Sequence, residues 1–500
     1  MSTQPKLCLS ESNSAVRLLL LICLLLAMPG AAHAHIGSKD VFEQVNAGPY
    51  RLFVTVRPPM VIPGVATVEI RTSGPQVQRL QVTPVPMVGE ASKHPPTPDA
   101  MHRSAVDPAF FTGSLWLMSQ GSWKVVVAVD GEQGSASTSV PVPALPLQVL
   151  RMDRSLGLIL GLLAVLLVVG IVGIVAAAAR ESRLEPGITP SADRRRRALF
   201  AGGATLAVMA LAIWLGGRWW DVEAADYSAD IYQPLALHAA LAGSTLDLRL
   251  GSYDSALKPR RSRLNTDLLP DHGHLMHLYV IREPEMDAVY HLHPDGVAPG
   301  ELQTKLPDLP PGRYRLFADI VHRSGLPETL TSTLEIPSGF HGGPLDSEDA
   351  AASPAPLSAG ELSTTDKLPD GYSMAWDKPA TLTANEPVIF RFRLLNAQGQ
   401  PATDVVPYLG MAGHAAFVKT DWSTFAHTHP EGSAPMPSMM VANGGSGTMD
   451  GMNAPGESSS PVSSTVEFPY GFPARGRYRI FVQMKHGTTV ETGTFDAEVR

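Results

Sequence analysis

Short stretches that alternate apolar and polar residues recur through residues 35–148: YRLFVTVRPP, ATVEIRT, VQRLQVTPVPM, GSLWLM and WKVVVAVDG, with Pro and Gly between them. A period of two places the apolar side chains on one face of a strand, so this pattern predicts an antiparallel β-sandwich. About 110 residues are enough for one such core. The pattern then changes. Leu156–Ala179 and Ala198–Gly217 are uncharged apolar runs, each long enough to cross ~30 Å of hydrocarbon. They predict a transmembrane hairpin with helices over 155–179 and 198–217. The segment between them, 180–197, holds Arg180, Arg183 and Arg194 to Arg197, which marks a cytoplasmic loop. Trp219 and Trp220 suit the opposite interface. Neither run has an ionisable residue inside it, so the hairpin reads as an anchor and not an ion path. Gly157 and Gly161 are the expected close-packing positions.

Residues 1–34 read as a signal peptide. Lys6 and Arg17 precede the apolar run Leu18–Met28, which is too short to span a bilayer, and Ala32, His33 and Ala34 form an A-x-A cleavage site. A short uncleaved anchor is the alternative. Cys23 follows Ile22, which does not suit a lipobox. With cleavage the topology closes: both soluble regions lie in the periplasm of a bacterial inner membrane.

Composition narrows the class. The 500 residues include 44 Gly and 44 Pro, and only 17% are charged against a usual ~25%. Helical bundles and coiled coils are therefore disfavoured, and many short strands favoured. The net charge of −8 argues against a nucleic-acid partner. Both cysteines, Cys8 and Cys23, fall in the signal peptide. The mature chain then has no thiol, which excludes disulfides, Cys-ligated metal sites and a Cys nucleophile. Histidine, in contrast, occurs 16 times and is clustered.

The C-terminal part contains an internal repeat. Copy one (221–337) holds GHLMHLYVIREPEMDAVYHLHP and PGRYRLFADIVH; copy two (371–500) holds GMAGHAAFVKTDWSTFAHTHP and ARGRYRIFVQMKH. This sets His274 opposite Met411, His277 opposite His414, His291 and His293 opposite His427 and His429, and His322 opposite His486. Each copy is expected to be a further sandwich. Residues 338–370, rich in Pro, Ala and Ser, read as a linker. An insertion in copy two, 431–462, is expected to be disordered; it carries Met436, Met439, Met440, Met449 and Met452, thioethers that suit Cu(I) if they act at all.

Residues i and i+2 of a strand share a face, so His291 and His293 point the same way, as do His427 and His429. A hairpin brings the first histidine of each copy beside that pair, and the later strand delivers His322 or His486. Three or four imidazoles per copy therefore predict one copper or zinc ion in each, with His274 and Met411 as extra ligands. Cleavage after Ala34 would leave His35 with a free amine, a possible histidine brace for Cu(II) completed by His94 or His102. The whole set of candidate metal ligands is His35, His94, His102, His274, His277, His291, His293, His322, Met411, His414, His427, His429 and His486.

HIGSKDVFEQVNAGPYRLFVTVRPPMVIPG and GSWKVVVAVDG resemble the exported sandwich domains of YtkA-like and CopC-like bacterial copper-handling proteins. The GH…HLHP plus GRYRxF…H pattern resembles periplasmic domains associated with heavy-metal handling. The resemblance covers short motifs in about a third of the chain. It implies immunoglobulin-like or cupredoxin-like sandwiches and copper, and specifies no reaction. The mature chain has no Cys for a blue-copper site. No nucleotide, hydrolase or zincin motif is present, so the chain reads as a binding protein and not an enzyme. The expected function is copper buffering, resistance or delivery, with another periplasmic or membrane copper protein as partner. The alternative is a membrane-tethered interaction, assembly or sensor module whose histidines are incidental.

Overall fold

The computed structural model describes residues 40–149, 152–185, 187–251, 265–357, 363–445 and 462–500. Residues 1–34, which read as a signal peptide, and His35 lie outside them. Among the described residues the chain is mainly β, with six antiparallel sheets and two long apolar helices.

The first two sheets form from residues 41–144. One runs Val41–Ala47, Tyr50–Arg57, Gly64–Ser73, Phe110–Leu117, His102–Arg103; the other Asp99–Ala100, Val77–Pro86, Gly121–Gly131, Gly134–Ala144. Alternation does the work: Ala66, Val68 and Ile70 point inward while Thr67, Glu69 and Arg71 do not. Val125 and Val127 of the facing sheet close the same core.

The two helices are Arg154–Glu181 and Ala192–Ala229, begun by the N-caps Asp153 and Ser191. Each is long and apolar enough to cross a membrane. Their apolar side chains face outward, with Leu158 at 66% and Phe200 at 80% exposure, which no folded core would leave uncovered. They touch at Gly202, whose Cβ position lies 3.5 Å from Ala176 and 3.6 Å from Val172. The expectation for Gly161 is corrected: nothing lies within 4 Å of it, and Gly157 faces Met152, not the second helix. The hairpin's two ends meet. Tyr232 N donates to the Pro146 carbonyl (2.8 Å), and Tyr227 Oη lies 3.2 Å from Ile62 N. The folded parts before and after the hairpin therefore share one end of it.

Each repeat copy supplies two sheets around a core. In copy one, Leu237–Ala242, Thr245–Leu250, Glu301–Lys305 and Asp295–Ala298 face a sheet built on Gly312–His322 and His277–Arg282. In copy two, Thr365–Lys367, Ser373–Trp376, Val388–Leu395 and Thr465–Tyr470 face a sheet built on Gly476–His486 and His414–Lys419. The repeat is observed in the strands that carry the histidines. His277 sits opposite Asp319 and His414 opposite Gln483; Leu268 sits opposite His322 and Val405 opposite His486. The predicted hairpins also form, pairing Leu278 with Leu292 and Ala415 with Thr428.

Two segments depart from expectation. Ala350–Ala352, inside the expected linker 338–370, is a strand on the edge of copy one, pairing with Val289–His291. The insertion 431–462 is ordered over 431–445: Met436–Ala442 is a helix, and Met439 packs on the first core. Gln44 N bonds the Glu431 carbonyl (2.6 Å), Lys124 Nζ the Ala442 carbonyl (2.6 Å), and Asn443 the Ser139 backbone. These bonds give the backbone partners that composition alone did not foresee. Met449 and Met452 lie outside the described residues.

The two copies dock through a separate apolar cluster: Tyr279, Ile281, Val289 and Phe317 of copy one against Ala416, Val418, Phe425 and Phe481 of copy two. Equivalent positions face each other, as in an isologous contact. Phe317 stacks on Phe425 at 4.3 Å and 6°. Arg479 reaches across to the carbonyls of Met286 (3.0 Å) and Ala355 (2.8 Å); its counterpart Arg315 lies over the Trp422 ring.

Candidate metal centre

The docking brings both histidine sets into one buried cluster. His277, His291 and His293 place ligand atoms within 4.8 Å of one another; so do His272, His414 and His429. The second group mixes the copies, because His272 belongs to copy one. His427 bridges the groups, with ring centroids 5.3 Å from His277 and His291 and 5.4 Å from His414. The expectation of one self-contained site per copy is thus replaced by a shared centre.

Local structure explains the positions. His272 and Gly273 have φ of 52° and 90°, and Leu409 and Gly410 of copy two have 50° and 78°. Each pair is the centre of a tight turn closed by Asp271–His274 or Tyr408–Met411 backbone pairing. Such a turn needs two left-handed residues; Gly adopts that region freely, and His is among the non-glycine residues enriched there. The following strand starts at His277 or His414, and the turn folds His272 back over it.

The hydrogen bonds fix the tautomers in the first group. His277 Nε2 lies 3.1 Å from the Asp271 carbonyl, which can only accept, so that nitrogen carries the proton. His291 Nδ1 donates to Gln483 Oε1 (2.8 Å), and His293 Nδ1 donates to Asp349 Oδ1 (2.9 Å). Three bare nitrogens remain: His277 Nδ1, His291 Nε2 and His293 Nε2. The first two face each other at 3.1 Å, and His293 Nε2 is buried without a partner. An outer acceptor on each ring's far nitrogen is how proteins orient metal-binding histidines. In the second group both nitrogens of His414 and of His429, and His272 Nε2, are buried without a hydrogen bond. Buried polar atoms normally have partners, so this many orphans in one place calls for a ligand.

Electrostatics agree. Burial first, then neighbouring imidazoles, hold His277, His291, His293, His414 and His429 well below the usual histidine range, and His272 at about 4. All are neutral near pH 7, the state that binds metal. Burial raises Asp271 to about 7 and Asp349 to about 6. A cavity of about 140 Å³ reaches the cluster where all three folded parts meet; Val41, Pro143, Leu275 and Ile320 line its apolar side, and His277 and His427 its polar side.

The remaining candidates fall as follows. His274 lies at the rim, its ring 4.4 Å from His293 and its Nε2 3.1 Å from Glu348. Met411 holds the equivalent turn position. His427 Nδ1 is 3.3 Å from Asp319 Oδ2. His94 and His102 are exposed on the first sheet pair. His322 and His486 do not join the cluster: each lies three residues beyond the partner of His277 or His414 (Asp319 or Gln483), an odd offset that turns it to the other face of the sheet, beside Leu268 or Val405. His322 is held by Asp267 (2.7 Å) and Glu328 (2.9 Å). Burial alone would lower it, but these two carboxylates outweigh burial and raise it. A raised histidine stabilises the fold below its unfolded value of ~6.5 and loses that contribution as pH rises through the folded value. The urea midpoint of the parent should therefore exceed that of His322→Gln by more at pH 6 than at pH 9; a constant gap would refute the assignment.

Sequence reasoning missed His272, Asp271, Gln483, Asp319 and Asp349. His272 immediately precedes the quoted stretch GHLMH, two residues before a chosen histidine, and no histidine matches it in copy two.

Residues 252–338 and 365–500 match the model of a domain of unknown function, DUF8832. No curated protein matches the chain. Among solved structures, an engineered protein is 19% identical over 19% of this chain and 21% of its own, with a TM-score of 0.15. A bacterial ice-binding adhesin involved in host cell surface retention is 8% identical over 91% and 99%, with a TM-score of 0.14. Escherichia coli alpha-2-macroglobulin is 9% identical over 90% of this chain and 30% of its own, with a TM-score of 0.18. Overlaps this poor carry nothing over to the chemistry of this chain.

Proposed function

We propose that this chain is a membrane-anchored, non-enzymatic protein of the bacterial periplasm that holds copper, with zinc as the alternative ion, for buffering, resistance or delivery to another copper protein. Three β-sandwich domains and a transmembrane hairpin are the architecture of this reading. The observation that carries it is the set of three bare, neutral imidazole nitrogens, each on a ring whose other nitrogen is tied to an acceptor. Imidazole suits copper and zinc, and a three-nitrogen set leaves room to pass an ion on. The test is the metal content of the full chain, purified without an affinity tag in detergent and titrated with Cu(I) and Zn(II). Binding weaker than micromolar for both ions would favour an interaction or sensor module.

The orientation has its own test. Reporter fusions at Gly187 and after Arg500 should report cytoplasm and periplasm respectively, because of the arginines between the helices. The reverse result overturns the periplasmic reading. N-terminal sequencing decides whether His35 is free to act as a brace.

A further inference from the structure

His486 sits in a different setting from the shared centre. Its Nδ1 lies 3.3 Å from Asp404 Oδ2, which also accepts from Tyr372 Oη at 3.0 Å. The Tyr372 ring stacks on the imidazole at 4.0 Å and 14°. Asp404 thus holds the proton on Nδ1 and turns Nε2 toward two other carboxylates. Asp370 Oδ2 is 2.8 Å from Nε2 and Glu491 Oε1 is 3.8 Å from it. Tyr372 N donates to Asp370 Oδ1 (3.0 Å), which leaves Oδ2 free to face the ring.

Nε2 is buried and makes no hydrogen bond there, despite the short approach. One ring nitrogen and two carboxylate oxygens converge within 4.8 Å. Among the described residues no Lys or Arg pairs with Asp370, Asp404 or Glu491. Three carboxylates around one ring exceed the single charge that even a protonated imidazole supplies, so a cation between them would relieve their repulsion.

Copy one provides the comparison. His322 has both nitrogens engaged by Asp267 and Glu328, and Tyr232 donates to Glu328 (2.8 Å). That arrangement is closed. Copy two keeps the equivalent His and flanking acids but adds Asp370 and leaves Nε2 open.

We propose that Asp370, His486 and Glu491 form a second metal site, for an oxygen-preferring or borderline divalent cation such as Mn²⁺ or Zn²⁺, with Asp404 as the residue that orients the imidazole. One nitrogen and two carboxylates suit those ions; a soft ion such as Cu(I) prefers the histidine centre.

The test uses the full chain in detergent, stripped of metal and titrated with Mn²⁺ alone, followed by electron paramagnetic resonance of the free ion, then with Zn²⁺ in competition. One Mn²⁺ per chain is expected, displaced by Zn²⁺. Asp370→Asn and Glu491→Gln should each weaken binding at least about tenfold. Glu328→Gln, in the closed copy, should leave it unchanged. Asp370 is exposed, so its variant does not threaten folding. Cu(I) uptake in Asp370→Asn should match the parent, which separates this site from the histidine centre whatever that centre binds. Equal Mn²⁺ and Zn²⁺ titrations for parent and Asp370→Asn would overturn the proposal. So would divalent binding that survives Asp370→Asn but is lost in His414→Ala.

Discussion

Replacing His291 and His293 together with Ala is expected to remove one of the two metal-binding groups and weaken Cu(I) binding there by at least about a thousandfold. Loss of an outer partner alone costs ten- to a hundredfold in metal affinity, and this variant removes two of the three nitrogens themselves. The second group, His272, His414 and His429, should keep its ion, so stoichiometry falls by one. The metal-free variant should lose some stability, because two buried rings are emptied and Gln483 and Asp349 lose their partners, while removal of the unpaired His293 Nε2 offsets part of that cost. Metal titration of the folded variant distinguishes a ligand from a core residue: undiminished binding would mean that the rings pack and do not bind. Gln483→Leu should give a milder loss, because it frees His291 without removing it.

Phe481→Ala should loosen the docking of the two copies by about 3–5 kcal/mol, the usual cost of emptying a buried phenylalanine site. Phe481 is fully buried in the apolar cluster between the copies. Metal bound across that boundary should offset much of the loss. An ion at a thousand times its dissociation constant adds about 4.1 kcal/mol to the state that binds it. The prediction is a variant with a lowered urea midpoint when metal-free, restored by saturating Cu(I) or Zn(II), and cut faster by protease than the parent only when metal-free. Cleavage of the metal-free and metal-saturated variant at the same rate would show that the ions do not bridge the copies.

Much of this was legible in the sequence. The strand period, the repeat and the i, i+2 histidines are local signals, and the hairpins that carry the histidine pairs followed from them. The docking of the copies was not read, although a signal existed. In HLYVIR and HAAFVK the first five residues are all buried, so both faces of the strand are covered. A continuous apolar run marks a strand with a second layer on its far side. Treating it as half-exposed left the histidine sets apart. Gln483 and Asp319 were missed because they occupy one repeat position with different side chains and act on the opposite copy's histidine. His322 and His486 were misgrouped because they lie three residues beyond Asp319 and Gln483, the partners of His277 and His414, and an odd offset along a strand turns a side chain to the opposite face of the sheet. The helix Met436–Ala442 gave no periodic signal, since its stability comes from partners more than 300 residues away.

The docked copies have one more consequence. Two identical chains meeting across a true two-fold axis must change both halves of their contact at once. Here the halves are one polypeptide, and each can be altered alone. The differences already present lie where a symmetric assembly could not place them: His272 against Leu409, Asp271 against Tyr408, His274 against Met411, Asp319 against Gln483. One side of the centre is therefore richer in imidazole and carboxylate, the other in thioether and phenol. Covalent fusion converts a two-fold symmetric pocket into a graded one, with a polar end and a softer end.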